Sequence, residues 1–126
     1  MSYQDFTKMS VWQQGFKLLL EIYKITKSFP SDERFGLTSD IRRAANSIVH
    51  NVAEGFGRFE AKDKTRFYKI SRGSAYELMS QVLVSHALDY IPNAQHKDEL
   101  IQKCQQIIEE LNAIIKTLES RSKSTR

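Results

Sequence analysis

The segment GLTSDIRRAANSIVHNVAEGFGR, residues 36–58, decides the fold. Its apolar residues recur at steps of three and four, which places them on one face of a single helix. They are Leu37, Ile41, Ala44, Ala45, Ile48, Val52 and Ala53. Alanines on this face let a neighbouring helix approach closely, so we expect the helix to lie near the centre of a bundle. Gly55 and Gly57 stand where a left-handed cap would end it.

Three further helices are predicted around this central one. Apolar periodicity and proline punctuation give helices at about 10–28, 36–57, 62–90 and 94–120, with a flexible basic tail at 121–126. Residues 1–8 are predicted to be a mobile arm or a short extension. No strand pattern is present, so the chain is predicted to be all-α, with one domain over residues 1–126.

The third helix is predicted to bury one stripe of side chains. The stripe consists of Phe67, Ile70, Ser74, Leu78, Val82, Ser85 and Leu88. Gly73 and Ala75 are small and sit in the middle of the helix. Because a glycine weakens an isolated helix, we expect a tight helix crossing at Gly73 as the compensation.

The first helix carries two apolar stripes side by side, which is more than one bundle partner needs. Trp12, Phe16 and Leu20 extend its apolar surface beyond the stripe that contains Leu18 and Ile22. We infer that Trp12, Phe16 and Leu20 face a neighbouring subunit. The alternative is that a wide stripe simply covers a small four-helix core.

The composition indicates a cytoplasmic globular protein without a membrane segment. Of the 126 residues, 40% are hydrophobic and 27% are charged, and no apolar run approaches the roughly 20 residues of a membrane span. The first residues show no secretory signal. Cys104 is the single cysteine, so no internal disulfide can form, which fits a reducing compartment.

The positive charge is concentrated in one segment. The net charge of the chain is +4, and residues 58–72 contain six basic and two acidic residues, which accounts for the whole excess. The basic positions follow a helical spacing and predict a ridge that binds phosphates. The candidates are Arg58, Lys62, Arg66, Lys69 and Arg72, with Arg42 and Arg43 as second choices that could be structural instead. The alternative is a merely solvated helix face. Phe59, Tyr68 and Tyr76 are candidate stacking surfaces for unpaired bases.

Two carboxylates stand beside these arginines. Glu54 is four residues before Arg58, and Glu77 can meet Arg42 or Arg43 from the third helix. We expect structural ion pairs that fix helix register or a subunit contact. The alternative is a polar functional surface.

Catalytic and metal-binding patterns are lacking in the sequence. Cys104 lies in an apolar stripe and is predicted to be a buried thiol. The three histidines have no ligands at metal spacing, and the glycines at 55 and 57 follow a helix rather than a strand, so a phosphate loop is excluded. We therefore predict no enzyme activity, no metal and no cofactor.

An ordered series of short motifs spans roughly residues 9–92. It consists of Phe29-Pro30, Gly36-Leu37, Ile41-Arg42-Arg43-Ala44, Ser47-Ile48, Asn51-Val52-Ala53-Glu54-Gly55, Gly57-Arg58, Gly73-Ser74 and Glu77-Leu78. In this series the sequence resembles the bacterial four-helix proteins of rRNA intervening sequences, to which the accessory protein of diversity-generating retroelements is similar. Departures occur at Val49-His50 and at Val52. The resemblance implies an antiparallel up-and-down four-helix bundle that assembles as a homopentamer and contacts RNA or DNA through a basic surface. In the retroelement relatives the protein works beside a reverse transcriptase, a partner that applies here only if the gene context contains one.

Two functional hypotheses follow. The first is a non-enzymatic oligomer that binds RNA or DNA backbone without sequence preference through the basic ridge. The second is a protein-interaction scaffold with no nucleic-acid role, in which the wide first helix and the polar face of the second serve assembly.

Overall fold

The computed structural model describes residues 5–124, which form a four-helix bundle. The helices are α1 (Ser10–Thr26), α2 (Leu37–Gly57), α3 (Ala61–Ala87) and α4 (Ala94–Ser124). α2 packs between α1 and α3, and α4 closes the bundle against α3 and α1. Short connections reverse the chain between successive helices, and the described residues contain no strand. The predicted all-α, up-and-down architecture is confirmed.

Helical structure extends further toward both ends of the described chain than the sequence predicts. Asp5–Lys8 form a 3₁₀ turn, and the Phe6 ring packs edge-on against Trp12, with centroids 5.4 Å apart. α4 continues to Ser124, so residues 121–124 of the predicted tail are helical. Residues 1–4 of the predicted arm, and residues 125–126 of the predicted tail, lie outside the described residues.

The predicted apolar face of α2 forms the centre of the core. Ile41, Ala44, Ala45 and Val52 are each at most 1% exposed. The small side chains permit the close approach that the sequence predicts. On α1, a Cβ atom added at Gly15 would lie only 2.9 Å from Val49 Cγ1, so the backbone of α1 packs closely against side chains of α2.

The predicted buried stripe of α3 is wrong in part. Ile70 and Leu88 are 43% and 49% exposed and Phe67 is half-buried, whereas Tyr68, Ser71 and Ala75 are buried. The prediction chose mainly large apolar residues, whereas the buried face of α3 packs closely against α2. Ser71 Oγ, fully buried, donates to the Ile48 carbonyl across the contact at 2.8 Å. Small and hydrogen-bonded residues therefore replace the expected large ones.

The glycines of α2 and α3 also differ from expectation. Gly73 itself faces open space, since nothing lies within 4 Å of a Cβ added there, so it makes no tight crossing. The helix contact predicted for this small-residue segment is made by its neighbours Ser74 and Ala75, which are buried, and Ser74 Oγ donates to Ser47 Oγ of α2 at 2.7 Å. The close contact occurs at Gly55, where an added Cβ would lie 2.6 Å from Cε1 of the buried Tyr68 ring. The left-handed cap predicted for the end of α2 is wrong too, because no described glycine has a positive φ.

A lysine caps the C-terminus of α2 instead. Lys64 Nζ donates to the carbonyls of Phe56 at 2.8 Å and Gly55 at 3.2 Å, which satisfies groups that a helix end leaves unpaired. Partial burial at this contact lowers the pKa of Lys64. One of the six basic residues of the charged segment therefore has a structural role.

Candidate nucleic-acid interface

The predicted phosphate-binding residues of the ridge gather at one end of the bundle. Arg58 directly follows α2, and Lys62, Arg66, Lys69 and Arg72 occupy the first half of α3. All are exposed except Arg72, which is half-buried. We call these five residues the basic ridge.

Three members of the basic ridge already have partners within the subunit. Arg58 pairs with Glu54 at 3.2 Å, and Lys69 pairs with Glu119 at 2.9 Å. Arg72 Nη1 donates to Asn112 Oδ1 at 2.8 Å. The two ion pairs are about half-exposed, and such pairs contribute about 0–1 kcal/mol each, so phosphate oxygens can compete for these cations.

Among the described residues, Lys62 and Arg66 are the members of the basic ridge with neither an ion pair nor a side-chain hydrogen bond, whereas Arg72 is bound to the neutral amide of Asn112. Within the described part of the chain, neither Lys62 nor Arg66 has a carboxylate within ion-pair distance. Arg66 instead lies over the Phe67 ring, 4.4 Å from its centroid, and Arg58 lies 4.6 Å from the same centroid. These cation–π contacts hold two guanidinium groups close together at the protein surface.

An exposed aromatic side chain lies close to these cations in the chain. Phe59, in the short connection between α2 and α3, is 98% exposed. It directly follows Arg58 and faces solvent. Tyr76 is also exposed, one turn beyond Arg72, whereas Tyr68 is buried in the core. The role of Phe67 escaped the sequence reasoning, because its spacing matched a core stripe.

The second-choice arginines lie elsewhere on the molecule. Arg43 Nη2 pairs with Glu77 at 2.5 Å, and this hydrogen bond raises the pKa of Arg43. Arg42 donates through Nε to Thr26 Oγ1 at 2.8 Å and lies over the Tyr23 ring. Both belong to the first two turns of α2, and since α2 and α3 run antiparallel, they are at the opposite end of the bundle from Lys62.

The two carboxylates meet the arginines that the sequence analysis paired with them. Glu54 contacts Arg58, and Glu77 contacts Arg43 rather than Arg42. Both carboxylates are substantially exposed, with 57% and 41% of their side chains accessible. These are surface links between or along helices, so burial does not make them energetically decisive.

The outer side of α1 leaves apolar surface uncovered. Val11, Leu18 and Ile22 belong to the core, whereas Phe16 and Leu20 are 40% and 55% exposed. Trp12 is half-buried and stacks on Phe16, with ring centroids 4.9 Å apart. Within a single subunit, Trp12 therefore packs partly against the core, whereas Phe16 and Leu20 leave apolar surface exposed.

The remaining candidates give no reactive centre among residues 5–124. No three histidine, cysteine, aspartate or glutamate side chains in this range converge as metal ligands do. His86 Nδ1 lies 2.8 Å from the Ile91 carbonyl, in a turn contact. A separate search for membrane spans finds no helix in the described range with the length and hydropathy to cross a bilayer.

Cys104 is expected to be unreactive in the folded protein. The thiol is fully buried, and burial raises its pKa to about 12, so almost no nucleophilic thiolate exists at pH 8. We predict that a chromogenic disulfide reagent labels the native chain at least about 100-fold more slowly than the chain in denaturant. Labelling at the same rate in both conditions would contradict the burial of this thiol.

These features define a class of protein: an all-α four-helix bundle with a cationic end and an exposed apolar surface on α1. The chain belongs to the 23S rRNA-intervening sequence protein family, whose model matches residues 7–113. The predicted membership is thereby confirmed. The more distant likeness to the retroelement accessory protein stays a prediction.

A solved structure shows the same fold. It is the crystal structure of a protein with unknown function from the S23 ribosomal protein family of Bacteroides thetaiotaomicron. The TM-score is 0.77 at 20% sequence identity, over 84% of this chain and 95% of that chain. At this identity the likeness concerns the fold alone. Comparison with curated proteins finds no match.

Proposed function

We propose that this protein is a non-enzymatic oligomer that binds the RNA or DNA backbone through the basic ridge. The observation that carries the proposal is the group of Lys62, Arg66 and Phe59 at one end of the bundle. Lys62 and Arg66, which have neither an ion pair nor a side-chain hydrogen bond, follow Phe59 closely in the chain, and the Phe59 side chain is 98% exposed. Proteins that bind single strands without sequence preference combine contacts to the phosphates with stacking of aromatic side chains on unpaired bases.

One subunit offers too few uncompensated cations for tight binding on its own. Two phosphate contacts give a weak, strongly salt-dependent interaction, and repeating the ridge in several subunits multiplies them. The exposed side chains of Phe16 and Leu20 on α1 favour assembly, because burying them in a neighbour removes apolar surface from water. We propose a homo-oligomer, with the pentamer implied by the family resemblance as the expected size.

The absence of a reactive grouping among the described residues fits a binding role. The one thiol is buried and protonated, and the histidines are dispersed. We propose that the protein acts by binding alone, in the cytoplasm, with no cofactor. A reverse transcriptase is a proposed partner only where its gene is adjacent.

The second candidate function is an assembly scaffold without a nucleic-acid role. A specific observation favours it: Arg58, Lys69 and Arg72 already bind partners in their own subunit. In that case the basic ridge is a solvated helix face with internal links, and the apolar flank of α1 carries the function.

Light scattering separates the two candidates. The solution mass is measured at about 50 mM and about 500 mM salt, with and without an RNA of about 40 nucleotides. We expect a mass near five times the 14.6 kDa chain at both salts, and RNA uptake at low salt only. An oligomer that does not bind RNA at low salt would favour the assembly scaffold. A monomer at both salts would contradict the proposed assembly and the multivalent surface that depends on it.

A further inference from the structure

A second basic surface lies at the end of the bundle opposite the basic ridge. It is a surface concavity of about 430 Å³, which we call the arginine hollow. It forms where the end of α1, the connection to α2 and the first turns of α2 meet. Its lining is Tyr23, Arg34, Phe35, Thr38, Ser39, Arg42, Arg43 and Asn46. Three guanidinium groups and two aromatic rings thus share one concave site, without an acidic residue in the lining.

Arg42 is held in place, and the two terminal nitrogens of its guanidinium remain available to a ligand. Its Nε donates to Thr26 Oγ1 at 2.8 Å, and its guanidinium lies over Tyr23, 4.7 Å from the ring centroid. Thr26 is buried and fixed by its own hydrogen bond to the Ile22 carbonyl at 2.7 Å. Among the described residues, no acceptor takes the hydrogens of Nη1 and Nη2. These two nitrogens can therefore bind two oxygens of one phosphate, in the parallel geometry typical of arginine.

The charges in the hollow match a phosphate monoester. Arg43 is compensated by Glu77, and Asp40 also acts on it. Arg34 and Arg42 have no carboxylate within ion-pair distance in the described part of the chain. Two uncompensated positive charges suit a monoester, which carries about −1.5 to −2 near neutral pH, better than the single charge of an internal phosphodiester.

Two further groups favour a nucleotide over a bare phosphate. The Phe35 ring is 87% exposed beside Arg34 and offers an apolar face for a base. Tyr23 Oη accepts a hydrogen bond from Asn46 Nδ2 at 2.9 Å, which leaves the phenolic hydrogen available to a ligand acceptor. The hollow is also within the size range of small-molecule sites, about 300–1,000 Å³.

From these contacts we infer that the arginine hollow binds a nucleoside 5′-monophosphate group. Arg34 and Arg42 hold the phosphate, and Phe35 stacks on the base. The group can be a free nucleotide or the 5′-phosphorylated end of a strand, since both present the same chemistry. This site is separate from the basic ridge and needs neither Lys62 nor Arg66.

Calorimetry on the full chain tests this inference. The probes are adenosine 5′-monophosphate, adenosine and inorganic phosphate, at about 0.15 M salt. We expect the nucleotide to bind at least about tenfold more tightly than either fragment, because both halves of the hollow contribute. Arg34→Gln and Phe35→Ala should each weaken nucleotide binding at least about fivefold. Both side chains are exposed, so these variants are expected to fold, and melting curves check that they do.

A matched variant separates this inference from the proposed function. Lys62→Gln with Arg66→Gln should leave nucleotide binding unchanged, whether or not it affects RNA binding. Equal affinity for the nucleotide and adenosine, or no loss in Arg34→Gln, would overturn the inference. Comparing the free nucleotide with 5′-phosphorylated RNA of about ten nucleotides, with 5′-hydroxyl RNA as the control for binding at the basic ridge, identifies the source. A clear preference for the phosphorylated strand over the free nucleotide supports the strand end, and equal affinity supports the free nucleotide.

Discussion

Replacing Lys62 and Arg66 together with glutamine is expected to weaken binding of 5′-hydroxyl single-stranded RNA about 65-fold at about 50 mM salt. Each phosphate contact on a single strand contributes a slope of about −0.7 to the dependence of log affinity on log salt. Relative to 1 M salt, one contact is therefore worth about eightfold in affinity at about 50 mM, and two contacts about 65-fold. Fluorescence anisotropy across a salt series measures both the affinity and the slope.

Glutamine is the suitable replacement here. Neither Lys62 nor Arg66 has a carboxylate partner in the described structure, so neutralising them leaves no unpaired acid behind. Lys69 is left intact, because reversing its charge would place two carboxylates opposite each other at Glu119.

The control removes the same net charge from the other end of the bundle. Lys24→Gln with Lys27→Gln replaces two exposed lysines at the end of α1. We expect this control to bind RNA within about threefold of wild type, because its lysines are distant from the ridge and screened by salt. If both double variants lose affinity equally, binding follows net charge and the ridge is not the site.

Tyr68→Ala should lower the free energy of unfolding by about 3–5 kcal/mol, the cost typical of truncating a buried aromatic residue. The ring is 3% exposed and lies directly on Gly55, at the contact of α2 and α3. Gly55→Ala alone should destabilise by about 1–3 kcal/mol, because the added methyl would lie 2.6 Å from the ring and overpack the contact. Urea unfolding monitored by circular dichroism measures both changes.

We expect the effect of Gly55→Ala on the free energy of unfolding to change sign when the Tyr68 ring is removed. In the Tyr68→Ala background, Gly55→Ala meets no ring and should stabilise by up to about 1 kcal/mol through helix propensity. Gly73→Ala is the matched control, since that helical position opens to empty space, and it should stabilise wild type by about 0.5–1 kcal/mol. If Tyr68→Ala is too unstable to study, Tyr68→Leu serves the same cycle. A Gly55→Ala effect independent of residue 68 would contradict the contact.

The sequence was sufficient to predict the helices and the centre of the core, because both depend on local periodicity. The stripe of Ile41, Ala44, Ile48 and Val52 repeats every three or four residues, and all four are buried. The buried face of α3 was predicted less well. Its Ser71 is buried because a carbonyl of another helix accepts its hydrogen bond, and spacing within one helix does not reveal that partner.

The candidate site shows the same limit. The helical spacing correctly placed the basic residues on α3, but it does not show which of them are bound to other groups of the same chain. Lys64 caps α2 and Lys69 faces Glu119, about fifty positions away in the chain. The arginine hollow was not predicted as a site, although Arg42 was named, because Arg34 and Phe35 lie in a connection without periodicity.

The direction of the helices has a practical consequence for handling this protein. Four antiparallel helices bring the start of α1 and the end of α4 to the same end, where Lys69 meets Glu119 beside the basic ridge. A purification tag or fluorophore joined to either helix end would therefore crowd the basic ridge. A label placed in the turn at Pro92 would stand roughly 40 Å away, the length of α3 at about 1.5 Å per residue.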